Sequence, residues 1–148
     1  MTPDPFDLER FLLAQEPDYA RALSEIQAGR KRTHWMWYIF PQLQGLGGSW
    51  MSQRYAINGI EEAKAYLDYP ILGARLRECA EAMLAVEGRS ATEILGNPDD
   101  LKLRSCATLF GSVSGPGSVF ERILKKYYGG TGDDKTLRLL EKLKEQKK

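Results

Sequence analysis

The chain has 148 residues, of which 43% are hydrophobic and 28% are charged. This composition is typical of a globular domain that buries a substantial core. Its 21 lysines and arginines are nearly balanced by 20 acidic residues, which gives a net charge of +1. Because proteins that bind nucleic acids usually carry a clear basic excess, we expect no nucleic-acid partner.

The N-terminal stretch MTPDPFDLER lacks the cationic and then apolar run of a signal peptide. The longest apolar run, residues 35–40, is far shorter than the roughly 20 residues that span a bilayer. The sequence therefore predicts a cytoplasmic protein with no membrane partner. Cys79 and Cys106 are the only cysteines, and with a single histidine they provide no zinc-ligand spacing. We expect neither a metal nor a cofactor.

Helical spacing of apolar residues runs through almost the whole chain and predicts an all-α fold. We expect a compact single domain, residues 1–148, arranged as an orthogonal bundle of about eight short-to-medium helices. Its core is expected at about residues 5–140, followed by a frayed, lysine-rich tail at 141–148.

Capping signals indicate where several helices begin. Asp4 is the expected N-cap of the first helix, with Pro5 at its first position. Ser90 and Glu93 have the spacing of a capping box. Asn97 is expected to cap the helix that follows them.

The longest predicted helix, at 70–88, is expected to bury one apolar stripe. The stripe consists of Leu72, Leu76, Cys79, Ala80, Met83 and Val86. A shorter helix at 60–67 precedes it, with Asn58 as a plausible cap. Glu61 and Glu62 in that helix are expected on a solvated face.

The segment THWMWYIFPQ, residues 33–42, fits a short buried helix or a buried strand, because its six consecutive apolar residues show no periodicity. Helical neighbours and Thr33 as a cap favour a helix that ends at Phe40, where the following proline disfavours helical geometry. Such a helix would place His34 and Trp37 on one face.

Lys102 stands out in the helix predicted at 98–113. At about 100° per residue, Lys102 and Asp99 fall on the apolar arc and Ser105 falls at its edge. Asp100 points towards solvent in this projection. Charges on a core-facing arc are unfavourable unless they are paired or line a pocket. The arc therefore indicates either a buried i, i+3 ion pair or a cleft wall where Lys102 meets an anion.

The single histidine, His34, lies between three cations at 30–32 and the tryptophans Trp35 and Trp37. Nearby cations favour a neutral imidazole, which can accept a proton. Cations followed by aromatic rings suit an anionic, ring-containing ligand, through charge-assisted hydrogen bonds and stacking. The alternatives are a histidine bonded at the edge of the core and tryptophans that fill the core.

Six strings extend from about Phe6 to Leu140, namely RFLLAQ, GRKRTHWMWYIFPQLQGLGGS, RYAI, EAKAYLDYPILGARLREC, PDDLKLRSCATLF and TLRLL. Together they resemble the bacterial domain-of-unknown-function 1810 family. The chain departs from the family pattern at Cys106 and Ala107, where Ser-Met is common, and at Tyr69, where histidine is common.

The resemblance implies a compact, mainly helical single domain and no particular activity. Some family members carry a calpastatin label, which we reject because such an inhibitor is expected to be disordered and polar. The family's recurrent polar and aromatic positions correspond to Lys31, His34, Trp35, Trp37, Phe40, Pro41, Gln42, Lys102, Ser105 and Thr108.

These features predict a pocket between the His34 segment and the Lys102 helix for an anionic, nucleotide-like small molecule. If the pocket is hydrolytic, His34 is the expected acid–base residue. The expected ligand-binding residues are Lys31, Arg32, Trp35, Trp37, Gln42, Asp99, Lys102 and Ser105. The alternatives are a non-catalytic module for a phosphorylated metabolite or acidic peptide, and a protein-interaction domain with a tryptophan patch. The sequence favours no particular oligomeric state.

Overall fold

The computed structural model of the protein describes residues 3–146, which form ten α-helices. They are α1 (Glu9–Gln15), α2 (Tyr19–Gln27), α3 (Met36–Ile39), α4 (Trp50–Arg54), α5 (Ile60–Asp68), α6 (Pro70–Ala85), α7 (Ala91–Leu95), α8 (Asp99–Ser112), α9 (Val119–Tyr128) and α10 (Asp134–Gln146). Within residues 3–146 there is no β-strand, and Leu43 and Ile57 form an isolated parallel bridge. The predicted all-α single domain is confirmed. The helices outnumber the eight expected because very short ones, such as α4, form separate elements.

Helix α8 lies at the centre of the fold, where it packs against α5, α7, α9 and α10. Its residues 105–110 are all buried. Helix α6 packs against α2, α5 and α9, and its predicted stripe is buried from Leu72 to Met83. Val86 lies just beyond the end of α6 and is half-buried. None of the helices within residues 3–146 is long and apolar enough to cross a bilayer.

Large side chains from distant parts of the chain fill the core. The largest fully buried ones include Trp35, Tyr66, Phe11, Phe40 and Phe110. The rings of Phe11 and Tyr66 meet edge to face, with their centroids 5.0 Å apart. Aromatic pairs of this geometry stabilise a core by more than the burial of their apolar area alone provides.

The first helix begins later than the sequence indicates. Asp4 accepts hydrogen bonds from the backbone N–H groups of Leu8 (2.8 Å) and Glu9 (3.0 Å), but α1 itself begins at Glu9. Pro5 is therefore not its first residue. Asp7 adopts a left-handed conformation, with φ of 52°, and this conformation interrupts the helix between Pro5 and Glu9.

Two further predictions about caps are corrected by the structure, and one is confirmed. Asn97 is not the N-cap of α8, because Pro98 occupies that position and the Asn97 amide donates to the Asp100 carboxylate (3.1 Å). Asn58 is not the cap of α5, because Gly59 takes that place with φ of 141°. The capping box of Ser90 and Glu93 is confirmed.

Two acidic residues expected in solvent are buried. Glu62 is 2% exposed, accepts a hydrogen bond from Arg10 (2.8 Å) and forms a buried ion pair with it. Asp100 is 7% exposed and accepts hydrogen bonds from the Thr92 hydroxyl and from the Leu101 N–H. Two of the partners of these carboxylates, Arg10 and Thr92, belong to other helices. The periodicity of a single helix therefore does not reveal these contacts.

The segment 33–42 forms a helix of only four residues, α3. Thr33 does not cap it, because α3 begins after Trp35 and the Thr33 hydroxyl donates to Glu25 instead (2.7 Å). The helix ends before Phe40, whose backbone is no longer helical ahead of the proline. At the other end of the chain, α10 continues to Gln146, so the described part of the predicted frayed tail is helical. Residues 147–148 of that tail lie outside the described residues.

Candidate functional site

A buried carboxylate holds the chain in place just before the candidate site. Glu25, on α2, is 8% exposed and accepts hydrogen bonds at Oε1 from the N–H groups of Arg32 (2.6 Å) and Thr33 (2.9 Å). Oε1 also accepts from the indole N–H of Trp35 (3.0 Å). Burial alone would raise the pKa of Glu25, but the hydrogen bonds from these three residues lower it to about 2. Four donors on one carboxylate fix the backbone from Arg32 to Trp35.

Lys31 extends from this anchored segment to α8. Its backbone N–H donates to the carbonyl of Ile94 (2.7 Å). Its ammonium lies 3.0 Å from Asp99 Oδ2 and 5.1 Å from the centroid of the Trp35 ring. The Lys31 side chain is only 9% exposed, so this ion pair is largely withdrawn from water.

Lys102 contacts the same carboxylate from within α8. Its ammonium lies 3.5 Å from Asp99 Oδ1 and 5.3 Å from the centroid of the Trp37 ring. The side chains of Lys102 and Asp99 are 23% and 18% exposed. The i, i+3 pair considered from the sequence is therefore present, and Lys31 joins it. Two ammonium groups thus share one carboxylate, which leaves one positive charge in excess.

A cavity of about 320 Å³ lies beside this lysine cluster, which we define as Lys31, Asp99 and Lys102. It is lined by Gln42, Leu46, Gly47, Ser52, Pro98, Leu101, Lys102, Ser105, Asp133 and Lys135. Gln42, Lys102 and Ser105 are the predicted site residues among them. The loop after α3, the start of α8 and the turn before α10 therefore meet at one concave surface, which we call the α8 cavity.

Ser105 lines the α8 cavity and belongs to a chain of hydroxyl groups. Its Oγ lies 2.8 Å from the Oγ1 of Thr136, which itself donates to Asp133 Oδ2 (2.6 Å). The Thr136 N–H also donates to that oxygen (2.9 Å), so Asp133 acts as the side-chain cap of α10. Asp133 is a favoured N-cap residue type just before a helical segment, and this signal could have indicated the turn from the sequence.

The remaining predicted residues lie outside the α8 cavity. His34 is exposed, and only its carbonyl oxygen has a partner among residues 3–146, the Tyr38 hydroxyl (3.2 Å). Arg32 is exposed as well. Trp35 is 1% exposed and fills the core. The sequence predicts that His34 and Lys102 face each other across one pocket, but only Lys102 lines the α8 cavity. Because α3 begins at Met36, the helical face predicted to carry His34 with Trp37 does not form.

Neither cysteine has the properties of a nucleophile. Burial raises the pKa of the Cys79 thiol to about 12 and that of Cys106 well above its usual value. Within residues 3–146, no three His, Cys, Asp or Glu side chains are placed to hold a metal ion.

A larger cavity, of about 630 Å³, lies between α6, α9 and the glycine-rich loop before α9. It contains none of the predicted site residues, and its Arg122 pairs with Glu81 at 2.6 Å. The charged residues of its lining, namely Lys64, Asp68, Arg77, Glu81 and Arg122, are all exposed. Its greater volume is therefore not accompanied by an excess of half-buried charge like that at the α8 cavity.

Comparison with known proteins places the chain in a family. Among curated proteins, none matches it. A solved structure, of the conserved hypothetical protein Rv1873 from Mycobacterium tuberculosis, is 52% identical and superposes with a TM-score of 0.91. The match covers 93% of this chain and 98% of that one. The family model described as "Protein of unknown function (DUF1810)" matches residues 5–140. The chain therefore belongs to the DUF1810 family.

Proposed function

We propose that this protein binds an anionic small molecule in the α8 cavity, with Lys102 as the principal cation. The supporting observation is the lysine cluster, in which Lys31 and Lys102 share the single carboxylate of Asp99 at the edge of the cavity. An excess ammonium group that is partly removed from water attracts an anion more strongly than an exposed lysine does.

The lining of the cavity supplies further groups for such a ligand. Lys135 adds a second cation, and Gln42 adds an amide that can donate or accept. A volume of about 320 Å³ lies at the lower end of the range for small-molecule sites. The proposed ligand is accordingly no larger than a nucleotide and carries a phosphate or carboxylate group.

Hydrolysis by His34 and protein binding through a tryptophan patch have less support. Hydrolysis by His34 requires its imidazole to reach the ligand, whereas His34 does not line the cavity. A protein-binding patch requires exposed tryptophans, whereas Trp35 is 1% exposed and Trp37 is half-buried. Trp50 is 71% exposed, but it lies in α4 and not in the predicted segment.

A thermal-shift screen against phosphorylated and carboxylated metabolites, nucleotides included, tests the proposal. A ligand at a hundredfold excess over its Kd stabilises the folded state by about 2.7 kcal/mol, which raises Tm by several degrees. Lys102→Met keeps the apolar stem and removes the charge, so it should abolish the shift for every hit. The matched control is Lys125→Met, which removes a lysine whose side chain is 71% exposed and should leave the shifts unchanged.

The same hits separate binding from hydrolysis. Product analysis after long incubation should recover the ligand intact from wild-type protein and from His34→Ala. Turnover that His34→Ala abolishes would replace the binding proposal with the hydrolytic alternative. Hits that remain in Lys102→Met would refute the placement of the ligand in the α8 cavity.

A further inference from the structure

We infer that the ligand of the α8 cavity is a small phosphorylated polyol, in which hydroxyl groups accompany the phosphate. The inference rests on the proposed function and adds a chemical class to it. It is carried by the direction of the hydrogen bonds that link Ser105, Thr136 and Asp133.

The carboxylate of Asp133 fixes that direction. A carboxylate accepts hydrogen bonds and donates none, so the hydroxyl hydrogen of Thr136 is committed to Asp133 Oδ2 (2.6 Å). A threonine hydroxyl has one hydrogen, and hence Ser105 must donate at the 2.8 Å contact with Thr136. Ser105 is left with acceptor capacity alone. It offers an anion no hydrogen, although its residue type suggested a donor.

The cavity lining is therefore divided between donors and acceptors. Lys102 and Lys135 donate, whereas Ser105 and the carboxylate of Asp133 accept. A fully ionised phosphate ester without hydroxyl groups would satisfy the two lysines but would bring no hydrogen to the two acceptors. A ligand that carries hydroxyl groups beside its phosphate satisfies both sets.

Two further observations restrict the class. Lys102 and Ser105 are i, i+3 neighbours on α8 and both line the cavity, so one small molecule can contact both side chains. Around the cavity, Lys31, Lys102 and Lys135 outnumber Asp99 and Asp133. This positive excess favours a net anion over a zwitterion such as an amino acid, which could also donate to Asp133.

Isothermal titration calorimetry with two phosphate esters of nearly equal size provides the test. Glycerol 3-phosphate carries two hydroxyl groups, and n-propyl phosphate carries none. We expect glycerol 3-phosphate to bind about 3- to 10-fold more tightly, the range for one or two net hydrogen bonds. In Ser105→Ala this ratio should fall, because Asp133 is then the one remaining acceptor of the pair, while the affinity for propyl phosphate changes less than about twofold.

A second variant tests the direction of the hydrogen bonds that link Ser105, Thr136 and Asp133. Thr136→Val removes the acceptor for Ser105, whose hydrogen can then point to the ligand, so the affinity for propyl phosphate should rise and the ratio should fall. Circular dichroism checks that each variant is folded. The ratio of the two affinities in wild-type protein tests the inference even if neither variant folds.

The outcomes distinguish the inference from the proposed function. If neither ester binds in a manner that Lys102→Met abolishes, the inference fails, whereas the proposed function fails only if the thermal-shift screen also gives no hit that depends on Lys102. If both esters bind equally and depend on Lys102, the inference alone is overturned. A preference for glycerol 3-phosphate that Ser105→Ala leaves unchanged also overturns it.

Discussion

The depressed pKa of Glu25 predicts a measurable loss of stability in acid. Its pKa is lowered from 4.5 to about 2 by hydrogen bonds that outweigh the effect of burial. At about 1.36 kcal/mol per unit of pKa, the ionised carboxylate stabilises the folded state by about 3 kcal/mol. This contribution is complete above the unfolded-state pKa near 4.5 and disappears as the pH falls towards 2.

Glu25→Gln isolates this contribution. The neutral amide retains the shape of the side chain but weakens the hydrogen bonds from Arg32, Thr33 and Trp35, since bonds to a charged group are stronger. Urea unfolding at pH 7 should show that Glu25→Gln is less stable than wild type by about 2–3 kcal/mol. At pH 3 the difference should be smaller by about 2 kcal/mol, because the wild-type protein has itself lost that part of the contribution.

Glu9→Gln is the matched control, because Glu9 is an exposed carboxylate in the first turn of α1. It should change the free energy of unfolding by less than about 0.5 kcal/mol at either pH. A difference between wild type and Glu25→Gln that stays constant from pH 7 to pH 3 would refute the assignment of the charge. A difference no larger than that of Glu9→Gln would refute the anchoring role of Glu25.

Two further predictions concern the core. Arg10→Met leaves a glutamate buried without its ion-pair partner, and urea unfolding should show a loss of about 3–5 kcal/mol, whereas Arg122→Met, at a pair that is half exposed, should lose less than about 1 kcal/mol. Equal losses for the two variants would contradict the importance of the buried pair. Gly73→Ala would place a Cβ atom 2.1 Å from the carbonyl oxygen of Leu67. The free energy of unfolding should therefore fall by at least about 3 kcal/mol, which a lower Tm would report. Gly111→Ala meets only an ordinary contact at 3.6 Å and should gain up to about 1 kcal/mol, so a similar Tm for both alanine variants would refute the close approach of α5 and α6.

The features predicted correctly from the sequence depend on neighbours within one helix. The apolar stripe of α6 and the capping box at Ser90 follow from spacings of three and four residues, and the structure has both. The same projection placed Lys102 and Asp99 on one side of α8, where they form an ion pair. Local spacing was sufficient in these cases because both partners lie on the same element.

The errors concern partners that are distant in the sequence. Asp100 was expected in solvent, but α7 brings the Thr92 hydroxyl to it. Glu25 was not singled out at all, because its four hydrogen bonds depend on how the segment after α2 folds back. The ion pair of Lys31 with Asp99, which joins two segments of the chain, was likewise not predicted. No periodicity within a single helix encodes these contacts.

The presence of two lysines on Asp99 has a consequence for binding. When an anion draws the Lys102 ammonium away from Asp99, the carboxylate keeps its ion pair with Lys31 at 3.0 Å. Removing the partner of a buried charge otherwise costs about 3–5 kcal/mol, which would be subtracted from the binding free energy. Lys31 can hold this position because Glu25 and the buried Trp35 fix the segment that follows it. In the proposed site, the anchored aromatic segment would thus keep Asp99 paired when Lys102 meets a ligand.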